Sequence, residues 1–253
     1  MNKLIVAIMA GGLGKRMESN IPKVLHKLDK LPLIVHVINT ALQLNPEKIL
    51  IIVGKYKIEI EEEIKKYINK NIIEKNIEYI IQNEPLGTGH AVRCCIDYFK
   101  DNIDSNILIL SGDVPLISKD TLFKFITSDN NISLLINEIN NPYGYGRIIL
   151  KNNIFDKIVE EKDANNEEKL INIVNSGIYY IKSDLLVKYL PLINNNNNQN
   201  EYYLTDILEI IKNRENININ LFLLEKNKNY EILGVNTKDQ LIFLENTHRL
   251  CIH

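Results

Sequence analysis

Four apolar runs, at 3–9, 48–53, 77–82 and 106–111, are each closed by turn residues and followed by a stretch with helical spacing. Runs this short read as buried strands. Strands alternating with helices of about 10–15 residues build βαβ units on a mostly parallel sheet. Pro32 opens the first helix, which runs to 44, as a first-turn proline. Apolar residues at 58, 60, 64 and 68 among charges mark a second helix, the pattern returns over 88–99, and Ser118 is placed to cap another. The first half, about 1–130, thus reads as a doubly wound nucleotide-binding layer. Beyond 132 the texture shifts to shorter strands at 133–138, 145–150, 154–160 and 173–181, then a helix at 204–213, a strand at 218–224 and a final helix from 238. This second portion, about 131–253, is more β-rich and belongs to the same sheet. The expected fold is α/β: one domain over 1–253, a mixed, mostly parallel sheet flanked by helices.

Charge and cysteine content narrow the function. Lys and Arg total 30 against 32 Asp and Glu, so no basic face is available to neutralise a nucleic-acid backbone. The early apolar run at 4–10 is too short to cross a membrane and lacks the basic lead of a signal peptide. Cys94, Cys95 and Cys251 have no metal-ligand spacing and make a poor disulfide framework, which fits a reducing compartment. A cytoplasmic protein is expected. The 35 Asn and 43 Ile against 5 Ala read as coding bias, and the Asn tract at 194–198 reads as a solvated loop. Nothing in the sequence fixes an oligomeric state.

The loop after the first strand, A-G-G-L-G-K-R-M (10–17), places three glycines ahead of two cations. Glycine lets the backbone approach an anion and present its N–H groups, so the loop is either a phosphate cradle or a simple tight turn. Its spacing matches neither the dinucleotide fingerprint nor the Walker A loop. Lys23, just after Pro22, is either a second phosphate contact or a surface lysine. The L-G-T-G-H-A segment (86–91) sits at a strand-to-helix junction, where ligands bind in open α/β sheets, and Gln82 has a donor and an acceptor to read a base edge. Asp113, at the exit of an apolar strand, is a candidate ligand for a hard cation or a cap for the following turn. His26, His36 and His90 read as positioning or packing residues, and Cys94 and Cys95 as small core residues.

Taken together the motifs resemble one family in the same order along the chain. They are A-G-G-L-G-K-R-M, P-K-V-L-H (22–26), L-G-T-G-H-A, G-D-V-P-L-I (112–117), G-Y-G-R-I (144–148), I-V-E-E-K-D-A (158–164), N-S-G-I (175–178), N-E-Y-Y-L-T-D-I (200–207) and G-V-N (234–236). The sequence is similar to the uridylyltransferase domain of the bacterial bifunctional N-acetylglucosamine-1-phosphate uridyltransferases, within the sugar-nucleotidyltransferase superfamily. That resemblance implies a Rossmann-like nucleotide-diphospho-sugar transferase fold, with 131–253 as the sugar-binding half. It also implies roles. Ala10, Gly11 and Gly12 would meet the nucleotide, with Arg16 and Lys23 on its phosphates. Gln82, Gly87 and Thr88 would recognise uracil, and Asp113 and Asn236 would hold Mg²⁺. Gly146, Glu160, Asn175, Tyr203 and Thr205 would line the sugar.

Two departures stand out. The family loop usually reads A-A-G-x-G-T-R-M, so here Gly11 replaces an alanine and Lys15 a threonine. No hexapeptide repeat follows, so the acetyltransferase activity of the bifunctional enzymes is expected to be absent. The implied reaction joins UTP and N-acetylglucosamine 1-phosphate. Transfer from UTP or dTTP to glucose 1-phosphate is the alternative, and a catalytically dead sugar-nucleotide sensor a third reading.

Overall fold

The computed structural model describes residues 3–12, 14, 17, 19–127 and 131–252, with side chains as far as Arg249. Arg16, Lys15 and the side chain of Cys251 lie outside the described residues. The strands are β1 (Leu4–Met9), β2 (Lys27–Leu28), β3 (Leu31–Pro32), β4 (Lys48–Val53), β5 (Ile77–Ile81), β6 (Asn106–Ser111), β7 (Ile132–Glu138), β8 (Arg147–Lys151), β9 (Ile154–Val159), β10 (Ile173–Lys182) and β11 (Asn220–Leu223). The helices are α1 (Leu33–Leu42), α2 (Lys57–Lys65), α3 (Lys70–Asn76), α4 (Thr88–Arg93), α5 (Ile96–Asp101), α6 (Lys119–Ile126), α7 (Ser183–Tyr189), α8 (Asp206–Glu215) and α9 (Lys238–Ile252).

Nine strands form one sheet along the path β11-β7-β10-β6-β1-β4-β5, with β8 on β10 and β9 on β8. The β6-β1-β4-β5 block is parallel, whereas β10 runs antiparallel to β6, β7 and β8. Strands covered on both faces need apolar residues throughout, which is why β1, β4 and β6 are runs of Ile, Leu and Val rather than alternating. One face packs on α4, α5, α7 and α8 through residues such as Val92, Phe99, Leu186 and Leu208. The other packs on α1, α2, α3 and α6 through Ile34, Ile60, Ile73 and Phe125. The chain passes from β1 to β4 and β5 on one side and then returns to β6 on the other. The carboxyl ends of β1 and β6 therefore flank a topological switch point, where α/β sheets open a crevice.

Several local expectations need correction. Pro32 is the residue before α1, with φ −54° and ψ 143°, rather than its first helical residue. The helix expected over 88–99 is two helices, because the chain tightens at Cys94 and Cys95, whose N–H groups reach the carbonyls of Ala91 and Val92 three residues back. Among the described residues, five of the seven non-glycine residues with positive φ are Asn45, Asn152, Asn153, Asn200 and Asn216, and asparagine tolerates the left-handed region better than most side chains. The 194–198 tract is a mostly exposed loop, as expected, and is tied down at one point: Asn198 donates through its N–H to Asp163 Oδ1 (2.9 Å) and through its amide to the Lys162 carbonyl (2.8 Å). Among the described residues no helix is long and apolar enough to cross a membrane.

Candidate functional site

The exit of β1 is built for close approach. Ala10 is buried and donates its N–H to the Ile52 carbonyl (2.8 Å), which ties the loop to β4. A Cβ on Gly11 would lie 2.9 Å from Gln82 Oε1, so this backbone runs close against that amide, and a larger residue here would shift it. Gly12 is exposed, with open space where a side chain would be. Pro22 (φ −54°, ψ 139°) leads into a short 3₁₀ turn, Lys23–Leu25, that aims the Lys23 side chain inward.

Lys23 meets two residues that are distant in sequence. Its ammonium is paired with Asp113 Oδ2 and donates to Asn236 Oδ1 at 3.0 Å. Asp113 follows β6, and its carbonyl accepts the Val235 N–H (2.9 Å), which brings the 234–236 segment alongside. Ser111 donates to Asp113 Oδ1 at 2.5 Å. Burial alone would raise the Asp113 carboxyl; the Lys23 ammonium and the Ser111 hydroxyl outweigh it and hold the group below the usual carboxylate range. A carboxylate and an amide oxygen thus converge on one cationic group. That hard-oxygen pair also suits a divalent cation completed by phosphate oxygens.

The second region is a docked loop. Gln82 is 5% exposed; its Nε2 donates to the Gly87 carbonyl (3.1 Å) and lies 3.2 Å from His90 Nδ1. Burial, then Arg93, lowers the His90 pKa, which keeps the ring neutral and free to accept there. Gly87 has φ 111°, and a Cβ would lie 2.6 Å from the Tyr202 carbonyl oxygen. The loop pairs with 202–204: Tyr202 N–H donates to Leu86 (2.8 Å) and Gly89 N–H to Tyr202 (2.7 Å). Thr88 Oγ1 accepts from Leu204 N–H at 3.0 Å, leaving its own proton to donate to a ligand.

Between these regions and β10 lies a cleft of about 510 Å³, lined by Thr88, Asp113, Gly146, Glu160, Asn175, Thr205 and Asn236. Asn175, Ser176 and Gly177 form an irregularity in β10 where its register with β7 shifts between Asn175 and Tyr179. Asn175 donates its N–H to Gly146 (2.9 Å) and its amide to the Tyr179 hydroxyl (2.9 Å), while its Oδ1 accepts Gly177 N–H (2.9 Å). Glu160 accepts from the Thr205 hydroxyl at 3.1 Å, and burial raises its carboxyl. Tyr203, next to the cleft-lining Leu204 and Thr205, is buried, and its hydroxyl accepts from Gln199 (2.8 Å). Sequence reasoning missed Ser111, Tyr143, Arg147 and Glu161. Ser111 stands two residues before Asp113, and Arg147 sits inside G-Y-G-R-I, a cation opening an apolar strand.

Comparison with known proteins gives the family and the fold. The nucleotidyl transferase family matches residues 5–226. A probable UDP-N-acetylglucosamine pyrophosphorylase of Acanthamoeba polyphaga mimivirus is 44% identical over 254 residues, covering 98% of this chain and 97% of the viral protein. The bifunctional protein GlmU of Francisella tularensis subsp. novicida (strain U112) is 41% identical over 245 residues, or 96% of this chain. The chain spans about half, 51%, of that bifunctional relative. Among solved structures, a UDP-glucose pyrophosphorylase complexed with UDP-glucose aligns with TM-score 0.74 at 20% identity, covering 99% of this chain and 100% of the other. A putative glucose-1-phosphate thymidylyltransferase from Bacillus anthracis, in complex with a sucrose, aligns with TM-score 0.73 at 18% identity, covering 97% and 95%. At those identities the likeness shows the fold.

Proposed function

The chain belongs to the nucleotidyl transferase family, and from that premise we propose that it makes UDP-N-acetylglucosamine from UTP and N-acetylglucosamine 1-phosphate. A phosphate oxygen of the sugar phosphate attacks the α-phosphorus of UTP, the α–β phosphoanhydride bond breaks, and pyrophosphate leaves. The observation that carries this reading is the convergence of Lys23, Asp113 and Asn236 at one end of a cleft whose other walls are Glu160, Asn175 and Thr205.

The attacking oxygen is already anionic at neutral pH, so the reaction needs no protein nucleophile or base. What opposes it is repulsion between anions and charge building on the leaving pyrophosphate. Asp113 and Asn236 would hold Mg²⁺, which when bound neutralises phosphate charge. Lys23, now paired with Asp113, would turn its ammonium to the triphosphate, and Arg16 would supply a second charge. Gln82, with Gly87 and Thr88, reads the uracil edge from the docked loop. The Asn175 amide and the Glu160 carboxyl orient the acceptor sugar, so the two reacting groups meet in line.

Pyrophosphate release by the purified protein, with UTP, dTTP, CTP or ATP against N-acetylglucosamine 1-phosphate or glucose 1-phosphate, tests the reading. UTP with the N-acetylamino sugar is expected to react fastest, and EDTA to abolish turnover. Preference for glucose 1-phosphate overturns the acceptor assignment. Binding of UDP-N-acetylglucosamine without any turnover makes the chain a sensor instead.

A further inference from the structure

The G-Y-G turn at the cleft wall is held from below by a buried ion pair. Arg147, the first residue of β8, is the largest fully buried side chain among the described residues, at 1% exposure. Its guanidinium donates through Nη1 to the Tyr145 carbonyl and through Nη2 to Glu161 Oε2 at 2.7 Å. The same Glu161 oxygen accepts the Gly144 N–H at 3.0 Å. Tyr143 N–H is held by Asn141 Oδ1 (3.2 Å), and the Gly146 carbonyl accepts from Asn175 (2.9 Å). All four residues of the turn, Tyr143 to Gly146, line the cleft beside Glu160 and Asn175.

Stability does not account for this pair. The Arg147 Nε is buried without a hydrogen-bond partner, and an ion pair so enclosed is commonly matched or bettered by apolar side chains of the same volume. What the fork provides is geometry: one planar group reaches a backbone carbonyl and a carboxylate at once, and that carboxylate reaches a second point on the same turn. Burial would raise the Glu161 carboxyl, but the Gly144 N–H and Arg147 together hold it low, so it stays ionised.

We propose that Arg147 and Glu161 are positioning residues that fix the 143–146 turn as the wall against the acceptor sugar, and so set affinity for the sugar end of the ligand in preference to its nucleotide end. The proposal rests on the functional reading above. Lysine at 147 keeps the charge but cannot span both partners. Alanine at 161 frees Gly144 and Arg147, whereas glutamine there keeps an oxygen that accepts from both.

Calorimetric titration of UDP and of UDP-N-acetylglucosamine, in Mg²⁺, into wild type, Arg147→Lys, Glu161→Ala and Glu161→Gln tests it, with melting curves to establish folding. Wild type is expected to prefer the sugar nucleotide. Arg147→Lys and Glu161→Ala lose about tenfold of that preference while affinity for UDP stays within about twofold, and Glu161→Gln retains most of it. Glu161→Ala leaves the buried Arg147 charge without its partner and is expected to melt lower; should it fail to fold, Arg147→Lys, which keeps the charge, carries the test. Unchanged preference in the folded variants overturns the proposal, as does an equal loss for UDP. A wild type that binds both ligands alike overturns the functional reading itself.

Discussion

The Lys23 and Asp113 side chains, 15% and 12% exposed, have little water to turn to if either loses the other. Removing one member of a largely buried pair leaves an uncompensated charge and typically costs about 3–5 kcal/mol, whereas the intact pair adds little net stability. Asp113→Asn is therefore expected to lower the melting temperature and to slow pyrophosphate release by about 10²–10³-fold. Wild-type turnover in that variant would remove Asp113 from the site. Asp206 supplies a second test by pH. Burial, then the Glu209 and Asp163 carboxylates, push its carboxyl up to about 6 from the ordinary 3.8. A carboxyl raised in the folded state favours folding while protonated, below its unfolded value, and that contribution is lost as pH rises through about 6. Asp206→Asn should thus raise the melting temperature at about pH 8, with the gain vanishing below about pH 4; an equal gain at both would assign the effect to something other than ionisation. Asp113 was legible in the sequence because it ends an apolar strand. Its hydroxyl partner, Ser111, was not, since serine at a strand end looks like any turn residue. Nor could the sequence alone tell that Tyr203 turns to Gln199, because alternation on an irregular loop does not fix a side chain's direction.

At the scale of elements, the 86–91 loop and the 202–204 segment act as one unit, joined by three hydrogen bonds from Tyr202, Gly89 and Leu204 N–H groups. Gly87 makes that docking possible. A methyl there would strike the Tyr202 carbonyl and nitrogen at 2.6 and 2.8 Å, and its φ of 111° is strained for any other residue. Gly87→Ala is expected to destabilise the fold by about 1–3 kcal/mol, read as an equal fall in the exchange protection of the β1 and β6 amides, and to weaken UTP binding at least tenfold in calorimetry. The central strands were readable because burial on both faces demands continuous Ile, Leu and Val. The small elements were not. The β2–β3 hairpin turns through Asp29 and Lys30 at φ 49° and 73°, without the Asn-Gly or Asp-Gly signature of such a turn. Helix α3 has only Ile73 buried, too little for a periodic stripe, and is started by Asn69, whose side chain accepts from Asn71 N–H. Helix α7 is seven residues long and runs straight into a 3₁₀ turn at Leu190–Leu192, so no boundary shows.

Across the whole molecule, one row of residues runs through the sheet at right angles to its strands: Leu221, Leu134, Tyr179, Ile109, Ala7 and Leu50, each the register partner of the next. The first three come from the β-rich portion and the last three from the parallel block of the first half. Five of them, Leu134 to Leu50, sit in the same buried cluster with α4, α7 and α8. The strands that carry the Asp113 end of the cleft and the Asn175 end are therefore tied through one row, and loosening one should loosen the other. Leu134→Ala leaves a cavity in β7, for which a loss of about 2–5 kcal/mol is typical. If the sheet is one cooperative unit, denaturant unfolding followed by tyrosine fluorescence and by circular dichroism will still coincide in this variant. Amide protection at Ala7 in β1 will then fall by the same free energy as at Leu135 in β7, because both open only when the row opens. A fall confined to β7 and β11, with β1 and β4 unchanged, would mean that the two halves unfold separately. The ordering of the acceptor wall would then be independent of the phosphate site.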